Sequence, residues 1–224
     1  MIMLREHRSG MTGFAALLVA MLVSVATCAM ARAEAGEPKA PDCHAKPVAT
    51  DHADHAVSGL KIPDITVWNE DGEEVKFYSD LVQGRVVVIN GIFTTCTTIC
   101  PPMGANYAKL QKLLDESGAD VKLISISIDP VTDTPERLKA WAANFRPRPG
   151  WTLVTGNKTE IDGLLKALQI FSPDKREHAP LILIGNDARG TWTRTYGLAP
   201  ATKMAEVVRG FLAGPVAEST ELQP

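Results

Sequence analysis

The chain has no large excess of charge of either sign. Lys and Arg number 23 against 26 Asp and Glu, a net charge of −3. That balance offers nothing to nucleic acid or to an acidic membrane surface, so neither is expected as a partner. Histidine and cysteine are scarce, five and four residues respectively in 224. No second Cys or His pair follows Cys96 and Cys100 at a matching interval, which excludes a zinc ribbon. No internal repeat is present, which excludes a repeat array. A run from Phe14 to Met30 carries no charged residue.

What is there suits one domain of ordinary size with tails. Hydrophobic residues make up 45% of the chain, enough for a real core. Arg5, His7 and Arg8 precede the Phe14–Met30 run, and Ala31-Arg32-Ala33 supplies a small-x-small cleavage pattern. Residues 1–33 therefore read as a secretory signal peptide. A retained membrane anchor is the alternative, since the run is close to the 20 or so residues of a span. Lipid attachment at Cys28 is a third, although the preceding Val-Ala-Thr matches poorly. All three place the domain outside the cytoplasm, at the periplasmic or extracytoplasmic face of the inner membrane, where thiols meet oxidants. Residues 34–58 read as a flexible leader containing Cys43, His44, His52 and His55, residue types that could capture metal. Residues 59–214 form the domain and 215–224 a tail.

Within the domain the pattern alternates. Ile65 and Val67 face Val75 and Phe77 across Asp71-Gly72, which predicts an N-terminal β-hairpin. Arg85 to Phe93 is continuously apolar at its centre and reads as a strand covered on both faces. A helix follows Cys100, with Met103, Tyr107, Leu110 and Leu114 on its inner stripe. Met103 at that spacing is core rather than a metal ligand. A strand at Val121–Ile128 leads to Asp129-Pro130-Val131-Thr132-Asp133-Thr134-Pro135, where Thr134 and Pro135 begin a helix reaching about Phe145. Asp129 and Asp133 are expected only to order their own loop. A strand at Trp151–Val154, a helix capped by Asn157, a strand at Leu181–Ile184 with a hairpin partner at Thr191–Thr195, and a helix from Pro200 complete the pattern. The fold class that fits is α/β, a thioredoxin-like sandwich with an N-terminal β-hairpin.

The chemistry concentrates at Cys96-Thr97-Thr98-Ile99-Cys100-Pro101-Pro102, between a buried strand and a helix start. The free N–H groups and positive dipole end of a helix favour thiolate over thiol there. The spacing is C-x-x-x-C, not the C-x-x-C of thioredoxin-like redox motifs or the C-x-x-C-H of haem attachment. The pair can close a disulfide or hold a soft metal. His178 lies in a polar loop at 172–180. Position alone makes it a solvent-exposed loop histidine, and no spacing argument brings it to the cysteines.

Phe93-Thr94-Thr95-Cys96-Thr97-Thr98-Ile99-Cys100-Pro101-Pro102 resembles the C-x-x-x-C-P motif of Sco/SenC proteins. Ser127-Ile128-Asp129-Pro130 with Asp133-Thr134-Pro135 is similar to their Asp-Pro…Asp-Thr-Pro segment, and His178 matches the position of their copper-ligating histidine. The resemblance spans about residues 60–213. It implies a thioredoxin fold that binds copper, Cu(I) or Cu(II), through Cys96, Cys100 and His178. It also implies delivery of copper to, or maintenance of the cysteines of, the binuclear copper site of cytochrome c oxidase. The partners implied are the oxidase copper-site subunit and a periplasmic thiol reductase or another copper chaperone. Two departures stand out: Thr-Thr-Ile between the cysteines where many members have Pro-Asp-Val, and Ala179-Pro180 after the histidine. A cis bond at Ala179-Pro180 would favour disulfide exchange.

Two further readings use the same residues. One is an extracytoplasmic thiol–disulfide oxidoreductase, with Cys96 and Cys100 as the redox pair and either as the attacking thiolate. The other is a peroxiredoxin-like peroxidase, which would place Thr three positions before its cysteine; that position is Phe93.

Overall fold

The computed structural model describes residues 55–213. The signal-or-anchor segment, the leader residues Cys43, His44 and His52, and the tail from 215 lie outside the described residues. Among the described residues no helix is long and apolar enough to cross a membrane.

The central strand is the apolar run foreseen in the sequence. Val86–Ile92 is buried at every position, so it must be covered on both sides. Its side chains divide by the two-residue period of a strand. Val86, Val88 and Ile92 join one core, and Val87 and Ile89 join the other. Among the described residues the sheet around it has eight strands. In chain order they are β1 (His55–Val57), β2 (Thr66–Asn69), β3 (Glu74–Lys76), β4 (Val86–Ile92), β5 (Val121–Ser127), β6 (Trp151–Thr155), β7 (Leu181–Asn186) and β8 (Thr191–Tyr196). Across the sheet they lie in the order β1-β8-β7-β4-β5-β6-β2-β3. Strands β4, β5 and β6 run parallel, while β7 runs antiparallel to β4 and β8 to β7. The β2–β3 hairpin pairs Val67 with Val75 and docks antiparallel on β6. Gly72 makes its turn at φ +81, a conformation open to glycine at little cost.

Among the described residues four α-helices cover the sheet: α1 (Cys100–Glu116), α2 (Pro135–Ala143), α3 (Lys158–Ala167) and α4 (Ala201–Ala213). On one face α1 buries Met103, Tyr107, Leu110 and Leu114 beside Leu138 and Trp141 of α2 and Met204 and Val208 of α4. On the other face α3 buries Ile161, Leu164 and Leu165 with Phe77, Leu81 and Val82 of a short helical turn. The inner stripe of α1 is the one its 3.6-residue period requires. Helix α2 is capped as its sequence predicts, Thr134 Oγ1 accepting the Arg137 N–H at 3.4 Å. In α4, Met204 and Val208 are buried, whereas Val207 and Phe211 are only partly so. Mixed α/β layering of this kind is thioredoxin-like.

The structure corrects the leader at one end. His55–Val57, assigned to the flexible stretch 34–58, forms edge strand β1 on β8, with His55 opposite Arg194 and Val57 opposite Trp192. His55 is thus a second histidine of the folded part, exposed at the sheet edge. No cis peptide bond occurs among the described residues, so Ala179–Pro180 is trans and the cis-proline argument for exchange does not apply.

The topology also solves the problem of distance along the chain. Because β7 runs antiparallel to β4, with Asn90 opposite Ile182, the loop that enters β7 lies at the end of the sheet where β4 exits. The loops after β4 and β5, the loop before β7, and Tyr196 at the end of β8 therefore gather at one end. Ligands of open α/β sheets are bound at such strand ends.

Candidate functional site: a cleft between a thiol pair and a buried histidine

At that end lies a cleft of about 480 Å³ whose lining includes Phe93, Cys96, Ile99, His178, Pro180 and Tyr196. It joins residues 82 positions apart in the chain. His178 is buried, at 8% exposure, so the expectation of a solvent-exposed loop histidine is wrong. Burial follows from packing that a loop sequence does not advertise: the ring stands edge-on to Phe93, 5.6 Å between centroids.

The cysteine pair is asymmetric. Helix α1 begins at Cys100, whose backbone N–H donates to Cys96 Sγ at 3.4 Å. Thr98 Oγ1 is 3.6 Å from the same sulfur. Burial pushes the Cys96 thiol up, but the donors of Cys100 and Thr98, backbone and side chain, outweigh it and bring the pKa down to about 7. Cys100 is wholly buried. Burial pushes its thiol up to about 12; Phe93 hydrogen bonding opposes this, while the Cys96 sulfur and the Asp133 charge reinforce it. Near neutral pH Cys96 is thus about half thiolate at the edge of the cleft, and Cys100 is a buried thiol. Among the described residues neither forms a disulfide.

His178 is preset in one tautomer. Its Nδ1 lies 2.8 Å from the carbonyl of Lys175. A carbonyl only accepts, so Nδ1 carries the proton and Nε2 the lone pair. Among the described residues that buried Nε2 has no hydrogen-bond partner. Burial lowers the ring's pKa and so favours the neutral ring, against the smaller opposing effect of the Lys175 carbonyl. A buried nitrogen with an unused lone pair is costly unless something binds it. The donor set on this cleft, thiolate sulfur with neutral imidazole nitrogen, suits a soft or borderline metal.

The three side chains do not yet form a closed metal site. Among the described residues no group of three or more His, Cys, Asp or Glu stands close enough to hold an ion. Cys96 and His178 line the cleft, whereas Cys100, the first residue of α1, is buried in the core and does not line it. Met103, also fully buried, belongs to that core.

Sequence reasoning missed the residues that hold this arrangement. Asp133, expected only to order its own loop, is completely buried and reaches the cysteine loop: its carboxylate accepts from Thr94 N at 3.2 Å, Thr94 Oγ1 at 2.6 Å and Ser127 Oγ at 2.7 Å. Asp129 pairs with Lys175 at 2.5 Å, and the Lys175 ammonium lies 5.4 Å from the Phe93 ring centroid. The Asp-Pro…Asp-Thr-Pro segment was a signal for the two aspartates; nothing in the sequence pointed to Lys175.

Known proteins share both the sequence and the fold of this chain. The chain is 40% identical over 104 residues to the SCO1 protein homolog of Bacillus subtilis, covering 46% of this chain and 53% of that one. It spans about half the length of the curated relatives it matches. The structure of BsSco, a member of the Sco family of cytochrome c oxidase assembly proteins with an identified disulfide switch, superposes with TM-score 0.58 at 30% identity, covering 68% of this chain and 95% of that one. Copper-bound ScoI of Bradyrhizobium japonicum shares the fold, with TM-score 0.56 at 20% identity over 67% of this chain and 99% of that one. The sequence model of SCO1/SenC matches residues 60–211, a span that takes in the whole cleft and the loops that frame it. By that match the chain belongs to the SCO1/SenC family.

Proposed function

We propose that this protein is a copper-binding assembly factor. It takes up one copper ion through Cys96, Cys100 and His178 and passes it to the binuclear copper site of cytochrome c oxidase, at the extracytoplasmic face of the membrane. One observation carries the reading: a neutral imidazole with a buried, unpartnered Nε2 lines the same cleft as a thiolate. Copper is the cargo here. Two sulfurs suit Cu(I), and the added nitrogen accommodates Cu(II). Capture closes the cleft, because the three donors are not within reach of one ion at the start. Family membership and the copper-bound relative of the same fold support the choice of metal. The apolar N-terminal run supports the location.

The thiol asymmetry favours a second role for the same sulfurs. The Cys96 thiolate attacks a disulfide of the partner, forming a mixed disulfide and releasing one partner thiolate. Cys100 then gives up its proton and attacks Cys96 Sγ, which closes Cys96–Cys100 and releases the second partner thiolate. The partner is reduced by two electrons, the protein is oxidised by two, and an extracytoplasmic thiol reductase must restore it. A reducing assembly factor could thus prepare cysteines that it then loads.

The test is copper titration of the reduced chain, followed by transfer to a peptide carrying the oxidase copper-site cysteines. One copper should bind, and His178→Ala should weaken Cu(II) far more than Cu(I). Unchanged affinity in the Cys96→Ser/Cys100→Ser chain would reject the metal role. Failure of the metal-free dithiol to exchange with the oxidised peptide would reject the reductase role alone.

A further inference from the structure

We propose that the loop 127–133 is a two-armed brace that sets the thiols and the imidazole relative to each other, with Asp129 and Lys175 as positioning residues for the histidine. The inference rests on the copper reading and adds to it how the third ligand is aimed.

Both arms start from one loop. Ser127 Oγ accepts the Asp129 N–H at 3.1 Å, and the Asp129 carbonyl accepts from Thr132 N and Asp133 N, each at 2.9 Å. This tight turn ends at the Thr134 cap of α2, so its two carboxylates are presented from a fixed base. The Asp133 arm goes to the cysteine side. It clamps the backbone and hydroxyl of Thr94, two residues before Cys96. A fully buried carboxylate with three donors around it has little freedom to move.

The Asp129 arm goes to the histidine side. Its carboxylate holds the Lys175 ammonium at 2.5 Å. Lys175 opens a 3₁₀ turn, Lys175–Glu177, and His178 is the residue that ends it. The carbonyl of the same Lys175 accepts the His178 Nδ1–H at 2.8 Å. One residue thus meets the brace with its head and the imidazole with its backbone. Phe93 closes the circuit. It packs against the His178 ring, lies 5.4 Å from the Lys175 ammonium, and precedes Thr94. Side-chain exposure of 38% for Lys175 and 14% for Asp129 leaves the pair partly shielded, which suits a pair whose task is geometry.

The consequence is specific to oxidation state. Cu(I) can be held by the two sulfurs, so it is insensitive to the histidine arm. Cu(II) draws on the imidazole, so loosening the turn costs it affinity through lost preorganisation.

The experiment uses the reduced full chain with Lys175→Met, Lys175→Arg and the swap Asp129→Lys/Lys175→Asp. Lys175→Met should weaken Cu(II) about three- to tenfold, change the sulfur-to-copper charge-transfer band, and leave Cu(I) affinity within about twofold. Lys175→Arg should restore the wild-type spectrum, and the swap should recover at least part of the Cu(II) affinity. A second readout needs no metal. In the metal-free chain, nitrogen NMR of the His178 ring should report the Nδ1–H tautomer in wild type and averaged tautomers in Lys175→Met. Cu(II) binding that is unchanged or tighter in Lys175→Met, or a ring unaffected by it, overturns the proposal. If wild type binds no copper, the proposed function fails instead, and the NMR comparison still decides the brace.

Discussion

The backbone N–H of Cys100 donates to the sulfur of Cys96 at 3.4 Å. This bond makes the start of α1 a thiolate holder and gives two neighbouring cysteines opposite characters. Cys96 is stabilised as an anion near pH 7, while Cys100 keeps its proton to about pH 12. The rate of alkylation of Cys96 by iodoacetamide, followed on its own peptide, should therefore rise with pH around a midpoint near 7, while the Cys100 peptide stays unlabelled. Cys100→Ala removes the thiol donor but not the backbone N–H. Its midpoint should move up and remain below 9, the ordinary thiol value. Equal labelling of Cys96 and Cys100, or a Cys96 inflection near 9, would contradict the asymmetry.

Asp133 contributes stability as well as placement. Its removal orphans three donors at once: Thr94 N–H, the Thr94 hydroxyl and the Ser127 hydroxyl. Each unmet buried donor costs about 1–3 kcal/mol, and partial relaxation keeps the sum below the total. Asp133→Ala should lower stability by about 3 kcal/mol, read as a fall in Tm of about 6–12 °C for a domain of this size. A fall of about 2 °C or less would mean the donors find other acceptors. Asp133→Asn retains one acceptor oxygen and should fall between the two.

These two cases mark what could be read in the sequence. The α1 stripe of Met103, Tyr107, Leu110 and Leu114, the covered strand at Val86–Ile92 and the Thr134-Pro135 helix start were legible because each is a local pattern with a short period or a fixed offset. Strand β1 was not. It has three residues, of which Val57 alone is buried, too few to show a period. The burial of His178 was hidden because its loop is polar and its cover, Phe93, comes from another strand end. Lys175 meets Asp129 across 46 positions, and Asp133 meets Thr94 across 39. Contacts of that range follow from sheet order, which residue patterns alone do not fix.

Gly104 ties the packing of α1 to the thiolate. A Cβ there would lie 2.6 Å from the Phe145 ring and 2.9 Å from Trp141. Alanine in mid-helix normally gains about 1 kcal/mol over glycine. Overpacking a filled core costs about 1–3 kcal/mol, so the clash should win. Gly104→Ala should unfold at lower denaturant concentration. Because Gly104 sits one turn beyond Cys100, a displaced first turn should also weaken the Cys100 N–H bond and raise the Cys96 alkylation midpoint. Lower stability with the midpoint still near 7 would show that the helix end is held independently of its body.

Copper affinity should depend on pH in two steps whose directions follow from the three donors. Metal displaces the Cys100 proton at any pH below about 12. Between about pH 7 and 9 it is the principal proton released, so affinity should rise about tenfold per pH unit. Below the Cys96 midpoint near 7 a second proton must also leave, and the slope should steepen toward about a hundredfold per unit. The His178 ring adds no step near neutrality, because burial holds its pKa below the ordinary 6.5. In more acid solution protonation of the ring competes with Cu(II), and a third proton should appear for Cu(II) but not for Cu(I). Chelator competition with both ions from pH 5.5 to 9 separates these terms. A slope that stays at about tenfold per unit below pH 7 would mean that Cys96 is not a ligand, and identical acid limbs for Cu(I) and Cu(II) would take His178 out of the site.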